Sequence, residues 1–264
     1  MRDVIFEVVK DSFIFNHIIY TEPSKDRSSF KRHFNNDLEI LFFIKGSATY
    51  VIEDKKYKLN AGDLVIIRPS KYHYIQIDED IDYERYNLLF PVSFIGKELL
   101  RSIPAYTEVI NCEHNDLIFD LFKKTDIYSN FGTEAFIDII PGIMKELFYN
   151  LVHCKDDALS TPTTLSSIVT QALEYINKNL YTIEDVEEIS QALFVTQAYF
   201  FRVFKEQLKI SPKKYITNKR LVAAEKLLKK GEKPTAVYQK CGFNTYTAFY
   251  KRFVDFFGHP PSNT

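Results

Sequence analysis

The chain has 264 residues, 45% of them apolar and 26% charged, which excludes a disordered polymer and sets the scale at one large domain or two ordinary ones. Its net charge of −1 conceals a division: residues 165–264 hold 15 Lys and Arg against 9 Asp and Glu, a charge of +6, leaving −7 for residues 1–164. A basic C-terminal segment behind an acidic N-terminal one points to a polyanion partner for the former. No apolar run reaches the roughly 18 residues that span a bilayer, and the start, MRDVIFEVVKDSF, carries acids where a signal peptide would be apolar. Cys112, Cys154 and Cys241 are odd in number and far apart, so neither a disulfide framework nor a zinc finger is implied. A cytoplasmic, reducing home without a membrane partner is expected.

Residues 5–20 and 38–90 are rich in β-branched and aromatic side chains. Short strands are expected at LEILFFI, SATYVI, KYKL, DLVIIR and HYIQI, punctuated by Lys45-Gly46, Glu53-Asp54-Lys55 and Asn60-Ala61-Gly62-Asp63. Gly46 and Gly62 read as turns that need a positive φ. Such closely spaced strands predict an antiparallel sandwich or small barrel. From Asp116 the period changes, and DLIFDLFKK reads as a helix capped by Asn115 or Asp116. Phe136, Ile139, Ile140, Ile143, Leu147 and Leu151 then form one apolar stripe at helical spacing, either core or a dimer seam. Pro141 within it should kink or restart the helix. The polar run KDDALSTPTT, residues 155–164, reads as a linker.

Beyond it the strand signals vanish and helices are expected at 166–179, 183–193, 196–208, 212–228, 234–240 and 245–257. Thr182 with Asp185 three residues on reads as a box-like N-cap, and Ser211-Pro212 as a cap followed by proline at the first helical position. Shifted by 49 residues, the chain nearly repeats itself: Phe194 falls on Phe243, Thr196 on Thr245, Phe200 on Phe249, Phe204 on Phe253 and Pro212 on Pro261. Phe201 likewise meets Tyr250, and Arg202 meets Lys251. Each copy reads as a short helix, a tight turn and a second helix begun by a threonine cap. Phe200 with Phe204, and Phe249 with Phe253, share a buried face four residues apart. Gln197, Ala198, Phe201 and Arg202, and Tyr246, Thr247, Tyr250 and Lys251, point elsewhere. This describes two helix-turn-helix motifs, at about 183–208 and 234–257, whose second helices can enter the major groove. An α-helical repeat with duplicated core aromatics is the competing reading.

The residues that carry the pattern are Thr196, Phe200, Arg202, Phe204 and Lys205 in the first copy. Ser211, Pro212, Tyr215, Arg220, Leu221, Ala224, Leu227 and Leu228 lie between the copies. Gly242, Phe243, Phe249, Lys251, Phe253, Gly258, His259, Pro260 and Pro261 belong to the second. Together they resemble the DNA-binding domain of AraC/XylS-type bacterial transcription regulators. The resemblance implies two second helices in successive major-groove segments on one DNA face. Gln197, Ala198, Phe201, Arg202, Tyr246, Thr247, Tyr250 and Lys251 are then the base-facing residues. Lys205, Lys213, Lys214, Lys219 and Arg252 are expected on phosphates. Tyr238 stands where that family usually has alanine, Val254 where it has lysine, and Ser262-Asn263-Thr264 end the chain before its usual tyrosine and arginine.

His33-x-Asn35, Glu39 and Gly46, then Gly62, Pro69 and His73, resemble the two motifs of a cupin-like barrel. In cupin enzymes three imidazoles and a carboxylate bind a divalent metal. Here Asn35 takes one imidazole position, so no metal, cofactor or catalytic residue is expected. A small, sugar-like or other effector held in the barrel mouth is expected instead, with His33, Glu39, His73, Tyr72 and Tyr74 as candidates. The whole is therefore an α+β two-domain protein. Residues 1–155 form a cupin-like antiparallel β-barrel plus helices with a dimerisation segment at about 114–153, 156–164 a linker, and 165–264 an all-α, seven-helix double helix-turn-helix module. The expected partners are double-stranded DNA, RNA polymerase, a small-molecule effector and a second copy of the chain. A cupin-type metal enzyme with a helical appendage and a protein–protein adaptor are the rival classes. No P-loop, nucleophile elbow, Cys-x-x-Cys or paired-carboxylate motif supports an enzyme.

Overall fold

The computed structural model describes residues 2–10, 13–23, 33–104, 106–153, 160 and 162–264. They fall into two compact units, one of residues up to Ile52 with Lys56–Thr163, the other of Glu53–Lys55 with Thr164–Thr264. Of the expected linker 156–164, residues 156–159 and 161 lie outside the described residues, as does Cys154.

The first unit is built on β1 (Arg2–Lys10), β2 (Phe13–Tyr20), β3 (His33–Phe34), β4 (Leu38–Lys45), β5 (Ala48–Ile52) and β6 (Lys55–Lys58). β7 (Asp63–Ile67), β8 (Tyr72–Ile77), β9 (Tyr83–Phe90), β10 (Val109–Asn111) and β11 (Thr163–Thr164) follow. One sheet runs β1-β2-β9-β4-β7-β10 and the other β11-β6-β5-β8-β3. The ladders whose registers are defined are antiparallel. The expected antiparallel, cupin-like β-domain takes the form of two sheets, and among the described residues no ladder joins their edges into a closed barrel.

β4 and β7 are mostly apolar, Glu39 and Asp63 being exceptions, because their sheet is covered on both faces. By the two-residue strand period, Leu38, Ile40 and Phe42 pack toward α1 (Lys97–Ser102), α2 (Asp116–Tyr128) and α3 (Thr133–Val152). Leu41 and Phe43 pack instead with Ala48, Tyr50 and Ile52 of the second sheet. Asn115 caps α2 as expected, its side chain accepting from the Ile118 amide. The stripe on α3 is core: Phe136, Ile140, Ile143, Leu147 and Leu151 are buried, Ile139 is half-buried, and Met144 and Phe148 join them. Pro141 does not break this helix. Proline inside a helix costs about 3 kcal/mol, whereas each fully buried side chain of this size contributes roughly 1.5–3 kcal/mol, and seven are buried here.

His17 ties the first sheet to α2. Its Nδ1 lies 3.0 Å from Asp126 Oδ1, its Nε2 2.9 Å from Glu84 Oε1, and its ring stacks on Tyr86 at 3.9 Å. The Tyr86 hydroxyl donates to Asp126 as well, at 2.7 Å. Burial disfavours the charged imidazole, yet hydrogen bonds to Asp126 and Glu84 and their charges prevail and raise its pKa above 6.5. Both ring nitrogens face carboxylates, so both carry hydrogens.

The second unit holds α4 (Ser167–Asn179), α5 (Glu187–Ala192), α6 (Gln197–Leu208), α7 (Pro212–Leu228), α8 (Pro234–Lys240) and α9 (Tyr246–Phe257). Among its described residues there are six α-helices and a final 3-10 turn at Pro261–Asn263, not seven helices. The side chains of Thr196, Ser211 and Thr245 cap α6, α7 and α9. Thr182 is not the cap of α5: its hydroxyl donates to the Asn179 carbonyl. The N-cap residue of α5 is Val186, without a side-chain cap; Asp185 accepts from the Glu187 amide and Glu188 from the amides of Glu184 and Asp185, so α5 starts later than its apolar residues suggest. Among the described residues no helix is long and apolar enough to cross a membrane.

The stabilising effect of a raised histidine pKa is complete below about pH 6.5, the unfolded value, and is lost as pH rises through the higher native value. Thermal melts should therefore show the protein losing stability as pH rises above about 6.5, and His17→Gln, which cannot be charged, should flatten that slope.

Candidate nucleic-acid interface and inter-sheet polar cluster

Two helix pairs, α5 with α6 and α8 with α9, repeat one local construction. In the first turn Phe194 N–H donates to Gln191 O and Val195 N–H to Ser190 O, each at 3.0 Å. In the second Gly242 N–H donates to Gln239 O and Phe243 N–H to Tyr238 O, each at 2.9 Å. Up to the turn the copies therefore correspond at a shift of 48, and Asn244 is the extra residue that restores 49 at the threonine caps. The pairing of Phe194 with Phe243 is corrected accordingly: Phe194 matches Gly242, and Val195 matches Phe243. The turn requires a left-handed residue, supplied by Gly242 at φ 75° in one copy and by Phe194 at φ 55° in the other. Phe194 is 95% exposed, while Phe243 is buried in the second motif's core.

The duplicated aromatics form the two cores. Phe200 and Phe204 lie 5.5 Å apart, with Phe204 against Tyr215 of α7 at 5.6 Å. Phe249 and Phe253 lie 5.4 Å apart and pack with Leu221, Ala224 and Leu228 of α7. One helix thus serves both motifs. Arg220 on α7 completes the connection, donating from Nε to Leu180 O at 2.7 Å, from Nη1 to Gly242 O at 2.7 Å and from Nη2 to Ile183 O at 2.6 Å. Gly242 has no room for a side chain, since a Cβ would lie 2.5 Å from Tyr181 O and 3.0 Å from Arg220 Cζ.

With their aromatic faces buried, α6 and α9 turn their other faces outward. Gln197, Ala198, Arg202, Tyr246, Thr247, Tyr250 and Lys251 are exposed, and Phe201 is half-buried. Gln197 and Phe201 from α6, Ala248 and Arg252 from α9, and Lys213 and Thr217 from α7 line one groove of about 430 Å³. The two helices therefore border the same face of this unit. Arg202 spans to Glu206 at 3.4 Å and lies 5.5 Å over the Tyr199 ring. Arg252 donates to Thr217 Oγ1 at 3.2 Å, and Lys205, Lys213 and Lys214 are exposed. Lys219 departs from the expectation. Its ammonium bonds the Asn177 side chain and sits 5.5 Å over the Tyr215 ring, so it joins α4 to α7 rather than standing free for a phosphate. Tyr199 and Asn244, both exposed, were not anticipated. Tyr199 lies one turn before Arg202, a spacing that pointed to it.

In the first unit the β3–β8 ladder sets His33 directly opposite His73, and β4 turns Glu39 toward them. His73 Nε2 lies 2.9 Å from Glu39 Oε2 and 3.1 Å from His33 Nε2, and His33 Nε2 lies 3.7 Å from the same oxygen. Asn35 donates to this carboxylate, and His73 Nδ1 donates to Lys71 O at 2.9 Å. Burial alone would raise the Glu39 pKa, but the charges and hydrogen bonds of His73 and His33 hold it well below the usual carboxylate range. Along the same inter-sheet face Arg85 lies over the Tyr20 and Tyr83 rings at 5.8 and 5.7 Å, and burial pushes the Tyr83 hydroxyl up to about 12. Asn16 and Asn87 sit opposite one another across β2 and β9, with both amide oxygens buried and without a hydrogen-bond partner. Tyr72 and Tyr74 are corrected: alternation along β8 puts them on the face opposite to His73, with Tyr72 against Phe34 at 5.1 Å.

Residues 189–264 match the family model of a helix-turn-helix domain, and residues 15–122 match that of an AraC-like ligand-binding domain. The protein is a DNA-binding transcription regulator that couples a ligand-binding domain to a helical DNA-binding one. It belongs to the AraC family. The uncharacterized regulator YdiP of Escherichia coli strain K12 is 24% identical to it over 87% of this chain and 78% of that one. The lactose operon transcription activator of Staphylococcus xylosus is 23% identical over 70% of this chain and 67% of that one. The probable regulator LumQ of Photobacterium leiognathi is 35% identical, over 33% of this chain and 36% of LumQ.

Arg220→Lys replaces a fork whose three nitrogens each meet a separate carbonyl with a single ammonium that lacks that reach, and should cost roughly 2–4 kcal/mol in denaturant unfolding. Phe194→Gly relieves the left-handed residue and should gain about 1 kcal/mol in the same measurement.

Proposed function

We propose that α6 and α9 enter two successive major-groove segments on one face of a duplex. Gln197, Ala198, Phe201 and Arg202 read bases in one segment, and Tyr246, Thr247, Tyr250 and Lys251 in the next. One observation carries this reading: both helices border a single groove over α7 with these side chains turned outward. The two faces differ in chemistry, so the module reads an asymmetric site and imposes a direction on it. Lys205, Lys213, Lys214 and Arg252 contact phosphates, which supply affinity that falls with salt.

The inter-sheet face takes a small polyhydroxylated, sugar-like effector. Unpartnered amide oxygens on Asn16 and Asn87 accept from hydroxyls, Arg85 donates, and the Tyr20, Tyr50 and Tyr83 rings cover apolar sugar faces. The similarity to a lactose operon activator supports that chemical class. Effector binding then shifts the population of regulator conformations in a cytoplasmic homodimer that recruits RNA polymerase. The protein acts by binding, not catalysis.

Arg202→Ala and Lys251→Ala should each weaken operator binding by about 1–3 kcal/mol, roughly fivefold to over a hundredfold, with the helical circular dichroism unchanged. Four phosphate contacts predict that log K falls with log salt at a slope of about −3 to −4, and a flat profile in gel shifts would overturn the interface. In a thermal-shift panel of mono- and disaccharides at least one sugar should stabilise the wild type, and Asn87→Leu should remove that stabilisation. No stabilisation by any sugar would refute that ligand class.

A further inference from the structure

We infer that His33, Glu39 and His73 form a binding site for a divalent first-row transition-metal ion. The hydrogen on His73 decides which of its ring nitrogens can ligate. Its Nδ1 faces the Lys71 carbonyl at 2.9 Å, and a carbonyl oxygen only accepts, so Nδ1 carries a hydrogen, and in the neutral ring Nε2 presents a lone pair. That lone pair faces Glu39 Oε2, a second acceptor, at 2.9 Å, with His33 Nε2 3.1 Å away. In that neutral state the two groups are acceptors that repel, and a cation between them reverses the sign of the interaction: a proton does so in the imidazolium–carboxylate pair, and a metal ion takes the proton's place when it binds.

The spacing suits such an ion. Bonds of about 2.1 Å place two ligand atoms about 3.0 Å apart at a right angle and about 3.4 Å apart at a tetrahedral one. The three separations here are 2.9, 3.1 and 3.7 Å. A carbonyl on the far nitrogen of a ligating imidazole is the outer contact that orients such ligands, and Asn35 braces the carboxylate. Asn35 is therefore a support for Glu39, not a vacant imidazole position, which removes the ground for expecting no metal. His73 and Glu39 are fixed by burial, whereas the His33 side chain is 43% exposed and leaves an entry path. Two imidazoles and one carboxylate suit Zn(II), Fe(II), Co(II) or Ni(II) better than Mg(II) or Ca(II). Three protein ligands leave further positions for water or a ligand's oxygens. The site stands independently of the DNA-binding and sugar readings.

The test uses the full-length, untagged protein, stripped with chelator and titrated with Co(II) by absorption spectroscopy and with Zn(II) by calorimetry. The expected result is saturable binding of about one ion per chain with weak visible Co(II) bands and no thiolate charge-transfer band. His33→Ala, which removes a partly exposed side chain, and Glu39→Gln should each weaken binding by about tenfold or more, while His153→Ala, at an exposed helix end, should not. Absence of saturable binding, a thiolate band, or equal affinity in wild type and His33→Ala would overturn the site.

Discussion

Arg220 donates to three backbone carbonyls at once, those of Leu180, Ile183 and Gly242, and this joins the end of α4, the approach to the first motif and the turn of the second. A planar guanidinium presents its donors in a fixed fork, so the three acceptors are held at set angles as well as set distances. The side-chain contacts of α7 act in the same sense, with Tyr215 in one aromatic core and Leu221, Ala224 and Leu228 in the other. Two motifs that would otherwise be separate helix pairs become one body with both second helices beside one groove. The requirement for glycine at 242 follows, because its carbonyl receives Arg220 and its Cα abuts Tyr181.

The duplication preserves the frame and lets the outward faces diverge. Paired phenylalanines four residues apart, with a threonine cap one turn before them, recur because they decide how the helix starts and what it buries. Nothing in that frame constrains the opposite face, which carries Gln, Ala and Arg in one copy and Tyr, Thr, Tyr and Lys in the other. The turns have diverged too: the second gained Asn244 and a glycine, while the first keeps a strained, exposed phenylalanine at the left-handed position.

The first unit works by a different constraint. Its six-stranded sheet is covered on both faces, so one face fills with apolar contacts to the helices while the other meets the second sheet. Polar groups on that inner face, among them Glu39, His73, Arg85 and Asn16, are costly to bury unless partners or ligands satisfy them. Their concentration there, against an otherwise apolar packing, is the reason the proposed effector and metal sites are assigned to the inter-sheet face. His17 shows the contrasting case, a buried polar residue whose every ring nitrogen is matched by a carboxylate and whose task is to hold α2 on the sheet.

Much of this was legible in the order of residues. Apolar spacing located α2, α3, α4, α6, α7, α8 and α9, caps marked α6, α7 and α9, and the near-repeat disclosed both motifs, since helix periodicity and capping are local properties of a few consecutive side chains. The short α1 and β10 carry no such signal. Only the tertiary structure decided that Lys219 is already engaged with Asn177, that Phe194 matches Gly242, that Pro141 lies within an unbroken helix, and that Tyr72 and Tyr74 face away from His73. The motif resemblance grouped His33, Glu39 and His73, and the tertiary structure supplied their separations and the support of Asn35. Each of those facts depends on strand pairing, packing against a distant element or competition for a hydrogen-bond partner, and these join residues that the linear order keeps apart.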